Sequence, residues 1–330
     1  MEYRKNNKNG LELSRLGLGC GSMTNVRDIT EKNKSIEVIH SAMDSGITLF
    51  NTADFYGSGQ SEMILGEALK GRNRDKAFVS LKFGALMSPN GRMYGLDVNP
   101  LNIKNYLTYS LKRLNLDYVD LYQPSRIDLG IPVEEVIGVM SELVKEGYVK
   151  HIGLTQVDAE TLRKANAVHP ISLVEYEYSL FNRSIEKEIL PTARELGIDV
   201  VTFGALAHGM LSGNWTKDKK SGYNSMISLF AEENIDKNLS LVNNLNKIAM
   251  EKNITLPQLS MAWLLAKGED IIPLIGSRKV KNLQSSIKSL DIVLSENDVK
   301  RIEEAIPQNE IAGASFPNMQ FKNGKVVGLK

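Results

Sequence analysis

Apolar and polar positions alternate between two rhythms along the chain. A short apolar run ends in polar residues and glycine, and a longer stretch follows with apolar residues three and four positions apart. The segment 47–57 is the clearest instance. Ile47, Leu49 and Phe50, with the β-branched Thr48, predict a buried strand. Asn51, Asp54 and Tyr56 then put polar groups at its C-terminal tip, and Gly57 and Gly59 loosen the chain before a helix over 61–70. Upstream, 11–19 alternates into a glycine-rich end, predicting a short hairpin and a first strand. Residues 30–45 carry Ile36, Val38, Ile39 and Met43 at helical spacing, and Gly46 ends that helix. Further strands are predicted over 77–84, 118–125, 150–156, 172–178, 198–206 and 271–275. A loop over 85–100 leads to a helix ending near Asn115. The other helical stretches cover 133–146, 186–195, 236–252, 257–267 and 279–289, with one more starting from the cap residue Asp158.

Counted from Leu16, eight strands are each followed by helical sequence, and no linker or low-complexity segment divides them. This predicts an α/β fold, a single (β/α)₈ TIM barrel forming one domain over 1–330. A hairpin over 1–16, an extra helix over 295–305 and a tail over 306–330, mobile at its last residues, would complete it.

Composition narrows the function. A net charge of +1 and 24% charged residues ask for neither nucleic acid nor a membrane partner. No apolar run approaches the roughly 20 residues that a bilayer helix needs. The charged N-terminus has no apolar signal core behind it. The single cysteine, Cys20, excludes an intrachain disulfide, and a cytoplasmic chain is expected. Between glycines, Cys20 reads as a packed thiol rather than a nucleophile. The four histidines and one cysteine are scattered, so no metal-ligand spacing is present. A small-molecule substrate is the remaining expectation, and the sequence carries no sign of an oligomeric state.

In a barrel, the strand tips converge on one mouth. They would bring together Asn51, Tyr56, Lys82, Ser125, Thr155, Gln156, Glu175, Phe203, Ser277 and Arg278. An ammonium beside a phenol favours the phenolate, so Lys82 is expected to lower the Tyr56 pKa toward the working range. Glu175 reads either as a solvated charge or as a carboxylate base beside Lys82 and Tyr56. His208 reads as a loop residue or a phosphate contact.

Several strings then carry a resemblance. They are NTADFYG over 51–57, LKFG over 81–84, DYVDLY over 117–122, LVKEGYVKHIGL over 143–154, EILP over 188–191 and QLSMAW over 258–263. Together with YRK over 3–5, GLGC over 17–20 and IAGASFP over 311–317, they make the chain resemble the aldo-keto reductase family along its length. The branch it resembles most includes pyridoxal reductases. The resemblance implies an oxidoreductase that binds NADP(H) across the barrel mouth and acts on a small carbonyl. Its tetrad of Asp, Tyr, Lys and His falls on Asn51, Tyr56, Lys82 and Ser125, so two members are changed. An amide at position 51 is expected to leave a buried Lys82 less stable as ammonium and to lower its pKa.

The resemblance also places the cofactor. Thr155, Gln156 and Glu175 fall where the nicotinamide carboxamide is held, Glu175 replacing a glutamine, and Phe203 where a tyrosine stacks on the ring. Gly204, Leu206, Gly209 and Leu211 belong to the pyrophosphate loop. Ser277, Arg278 and Lys279 fall on the 2′-phosphate, and Ser285 and Ser286 replace the adenine-side Glu-Asn pair. Weakened NADP(H) binding is expected. Two alternatives stay open: a lyase, dehydratase or isomerase using Tyr56, Lys82 and Glu175 for proton transfer, and a non-enzymatic NADPH-sensing protein.

Overall fold

A computed structural model describes residues 1–24, 28–127, 130–217, 222–315, 319–322 and 325–329. The chain opens with an antiparallel hairpin, β1 (Tyr3–Lys5) and β2 (Glu12–Ser14). The order continues with β3 (Gly17–Gly19), α1 (Ile29–Asp44), β4 (Leu49–Ala53), α2 (Gln60–Leu69) and β5 (Phe78–Phe83). After β5 come β6 (Ala85–Met87), β7 (Met93–Leu96), α3 (Pro100–Leu114), β8 (Val119–Pro124), α4 (Val133–Lys145) and β9 (Val149–Thr155). Then follow α5 (Ala159–Val168), β10 (Ile171–Glu177), α6 (Ile189–Leu196), β11 (Asp199–Phe203), α7 (Glu232–Glu251) and α8 (Leu256–Ala266). The chain finishes with β12 (Ile271–Gly276), α9 (Val280–Ile287), α10 (Glu296–Ala305), β13 (Met319–Lys322) and β14 (Lys325–Leu329).

Strands β3, β4, β5, β8, β9, β10, β11 and β12 close, in that order, into a parallel barrel. Closure pairs every barrel strand on both sides, so no barrel edge is left. Several helices start where a side chain satisfies a first-turn amide. Asp28 accepts from the Glu31 amide at α1 and Asp158 from the Thr161 amide at α5, while Thr255 and Ser295 form capping boxes at α8 and α10. Asn115 ends α3 in the left-handed region, at φ 52°. Among the described residues no helix is long and apolar enough to cross a membrane.

The two-residue period of the strands sorts the barrel interior into layers. Leu49, Leu121, Leu173, Val201, Ile272 and Leu274 form an apolar cluster, and Leu11 and Leu13 of the hairpin cap it from the N-terminal side. Two residues further along their strands, Leu49, Leu121 and Leu173 are followed by Asn51, Gln123 and Glu175. The apolar plug is therefore the floor of a polar layer facing the mouth.

One expectation is corrected here. The segment 85–100 is not an irregular loop but the antiparallel pair β6 and β7. Within the tail over 306–330, β13 and β14 pair with each other and β14 pairs with β7 through Lys325 and Gly95, while Lys330, the last residue of the end expected to be mobile, lies outside the described residues. The resulting sheet, in the order β13-β14-β7-β6, follows directly from β5 through Gly84. The partner of β14 lies far away in the chain, so local polarity could not reveal it.

Candidate active site

The polar layer is a hydrogen-bonded network. Lys82 Nζ donates to Asn51 Oδ1 at 2.5 Å and lies 2.9 and 3.1 Å from the two oxygens of Glu175. Asn51 Nδ2 donates to Glu175 Oε2 at 2.7 Å, and Gln123 Nε2 donates to the same oxygen at 2.6 Å. Ser80 Oγ accepts from both amides, at 3.3 Å from Asn51 and 3.2 Å from Gln123. The Lys82 and Glu175 side chains are only 4% and 3% exposed, so the pair interacts with little solvent screening.

Backbone register explains the convergence. Asn51 pairs with Ser80, Ala53 with Lys82, and Lys82 with Gln123 on three adjacent strands. Glu175 lies on β10, beyond β9, and Gln123 reaches it past Gly153. A Cβ at Gly153 would lie 2.9 Å from Gln123 Oε1 and 2.9 Å from Leu121 Cδ2. Glycine at that point leaves the passage open.

Tyr56 stands partly buried beside this layer, its ring centroid 5.2 Å from Lys82 Nζ, near enough for the ammonium and the phenol to act on each other through charge. Phe55 packs edge-on against the phenol ring, with centroids 4.9 Å apart. Gly21 backs it: a Cβ there would sit 3.1 and 3.2 Å from Tyr56 ring atoms.

The electrostatics differ from the sequence expectation on both counts. The Lys82 pKa is raised, not lowered. Burial opposes the ammonium, but the Glu175 carboxylate and then Tyr56 outweigh it. Glu175 supplies the negative charge that Asn51 lacks. The Tyr56 pKa is also raised, because burial outweighs the pull of Lys82 and the Glu175 charge adds to the rise. Burial pushes the Cys20 thiol up to about 12, which fits a packed thiol. Asp54 follows β4, and burial together with the neighbouring Glu62 carboxylate raises its carboxyl to about 7.

Ser125 lies two residues beyond Gln123, just past the end of β8, and Thr155 pairs in register with Glu175, yet neither joins the network. Both are buried, and neither hydroxyl has a hydrogen-bond partner among the described residues. Gln156, in the left-handed region at φ 51°, accepts from the Glu177 amide at 2.9 Å. Phe203 is half-buried and lies beside Glu177 in register. Beyond it, Gly204, Leu206, Gly209 and Leu211 belong to a tight turn in which Ala207, His208 and Gly209 all take positive φ. His208 Nε2 lies 3.1 Å from Glu177 Oε1, and that carboxylate also accepts from Asn182.

Ser277 is buried and hydrogen-bonds to both the carbonyl and the amide of Lys279, while Arg278 and Lys279 are exposed ahead of α9. Ser285 and Ser286 are on α9, their carbonyls accepting from Gln258 and Ser289. Gln123, Ser80, Gly153 and Gly21 were not singled out from the sequence. The inward period would have found the first two, since Gln123 follows Leu121 by two positions and Ser80 precedes Lys82 by two. The glycines show their role only through what they touch.

Comparison with known proteins places this geometry. The model of the aldo/keto reductase family matches residues 15–307. The chain is 38% identical over 314 residues to "Probable aldo-keto reductase 1" of Glycine max, covering 94% of this chain and 90% of that protein. Its fold is similar to the glycerol dehydrogenase AKR11B4 of Gluconobacter oxydans, with a TM-score of 0.84, 26% identity and coverage of 93% and 96% of the two chains. It also shares its fold with the aldo-keto reductase AKR11C1 of Bacillus halodurans, at a TM-score of 0.79 and 24% identity over 93% and 97%. By sequence along nearly its whole length and by its closed barrel, the chain belongs to the aldo/keto reductase family.

Proposed function

We propose that the protein is an NADP(H)-dependent reductase of a small carbonyl compound, with Tyr56 as the proton donor and Lys82 as the charge that stabilises its phenolate. The observation that carries this reading is the buried Lys82–Glu175 pair. It supplies, through a different strand, the negative partner that the change at Asn51 removes. With its pKa raised, Lys82 is an ammonium at neutral pH, and Tyr56 is a neutral phenol holding the proton that a carbonyl oxygen must receive. As the proton leaves, the growing phenolate charge faces Lys82 Nζ, which favours the transition state over the resting phenol. The buried Ser125 hydroxyl, without a partner among the described residues, can donate to the same substrate oxygen.

The residues at the mouth fit the cofactor. Thr155 carries a buried hydroxyl with no partner among the described residues, suited to a carboxamide. Among the described residues no atom lies within 4 Å of a Cβ built on Gly209, which leaves that face of the turn room for a phosphate. Arg278 and Lys279 present cations beside Ser277. The bound cofactor supplies the hydride. Both Glu175 oxygens are taken up by Lys82, Asn51 and Gln123, so Glu175 adds nothing to carboxamide binding. NADPH affinity should therefore be lower than a full set of contacts would give, by about tenfold for one lost hydrogen bond. The same engagement argues against Glu175 as a free general base, and so against the non-redox reading. Titration with NADPH and NADP followed by fluorescence tests the proposal. Saturable binding of both supports it, and a flat titration up to the solubility limit of the cofactor overturns it.

A further inference from the structure

The family resemblance sets a carboxylate at position 51 and an amide at position 175, and this chain has an amide at 51 and a carboxylate at 175. We propose that Asn51 and Glu175 are one exchanged unit. The charge that holds Lys82 against Tyr56 has moved from β4 across the barrel to β10, and neither position works without the other. This deepens the reductase reading and rests on it for its catalytic meaning, with Glu175 a positioning residue acting through Lys82.

The hydrogen bonds show why the positions depend on each other. Asn51 works in both directions, its Oδ1 accepting from Lys82 at 2.5 Å and its Nδ2 donating to Glu175 at 2.7 Å. A carboxylate at 51 could still accept from Lys82 but could not donate to Glu175. It would place two negative charges around one ammonium, with a net charge of −1. An amide at 175 would leave Lys82 with no counter-charge, a net of +1. Only the native pair and the double exchange are neutral. In the double exchange the amide at 175 can donate to the carboxylate at 51 from the place of Oε2, provided Gln123, which now donates to that atom, turns its amide over to accept there, so the charge balance is restored with one side-chain flip. Gly153 keeps the Gln123 path open in both arrangements. Besides Glu175, the titratable groups facing the ammonium are Tyr56 and Cys20.

The test compares the wild type with Asn51→Asp, Glu175→Gln and the double variant. Nitrogen-15 NMR of lysine-labelled protein follows the Lys82 ammonium, assigned by its loss in Lys82→Met. Thermal unfolding and NADPH-linked reduction of a panel of aldehydes complete the set. Glu175→Gln should lower the pH at which the ammonium is lost by about one unit or more. Asn51→Asp should move it the other way or leave an extra proton on the carboxylate pair, and the double variant should return close to wild type. Each single variant should lose about tenfold or more of any reductase activity, and the double variant should recover most of it. Where the single variants do not fold, folding of the double variant with near-native thermal stability supports the exchange. Additive losses, or a double variant worse than either single one in ammonium titration and stability, overturn it. Crossed behaviour of Lys82 in a protein that binds no NADPH would leave the exchange standing and remove the reductase reading.

Discussion

Gly21 gives a sharp test of how the phenol is held. Its backbone is outside the left-handed region, so alanine is tolerated conformationally. The added Cβ would lie 3.1 and 3.2 Å from Tyr56 ring atoms and 3.5 Å from its hydroxyl, below the 3.4–4 Å of ordinary contact for the first two. The ring must give by a few tenths of an ångström. Phe55, packed edge-on at 4.9 Å, limits where it can go. Because the phenol is only partly buried, it can relieve the strain by tilting toward the mouth. The cost to folding should then sit at the low end for overpacking, about 1 kcal/mol, with a fall in Tm of roughly 2–4 °C. The cost to catalysis should be larger. Tilting moves the phenol away from the Lys82 ammonium, whose charge favours the phenolate that forms as the proton leaves, and losing a charged contact of that kind costs about 1.5–3 kcal/mol, or roughly 10- to 150-fold in rate. Steady-state NADPH oxidation with a panel of aldehydes, run beside thermal melts and Tyr56→Phe, reads both quantities. Full activity in Gly21→Ala beside an inactive Tyr56→Phe would refute the idea that the β3 tip positions the phenol.

Two further outcomes follow from the same geometry. Asp54 titrates near 7 in the folded protein against an ordinary value of 3.8, so between those values the folded state holds a proton that the unfolded chain has lost. Stability is therefore lost as the pH rises through that window. Asp54→Asn should match the wild type near pH 4 and exceed it at neutral pH by roughly 1–3 kcal/mol, discounted for partial exposure. Denaturant midpoints that differ equally at both pH values would count against it. At the cofactor end, Arg278→Ala should weaken NADPH by about tenfold or more while leaving NADH nearly unchanged, since only the former carries the phosphate that a guanidinium grips. Equal losses for both cofactors in a binding titration would show that Arg278 does not read that phosphate.

The repeat of apolar strand and helical stretch determined the barrel from sequence alone, because alternation and helical periodicity are local properties of the chain. The hairpin before Leu16 and the capped helices were legible for the same reason, as were the strand-tip positions of Tyr56, Lys82 and Glu175. The charge state of the site was not legible. Sequence reading put an uncharged Asn51 beside Lys82 and so expected a weaker ammonium. Glu175 lies 93 residues after Lys82, and only closure of the barrel brings its carboxylate into the space between them. The role of Gln123 depends on Gly153 leaving a gap on the strand between, a fact about the space enclosed by three strands rather than about either residue. The pairing of β14 with β7 likewise joins segments far apart in the chain. Residue type and period fix which face a side chain takes, whereas the partner it meets across a closed barrel is decided by register and closure, which only the tertiary structure contains.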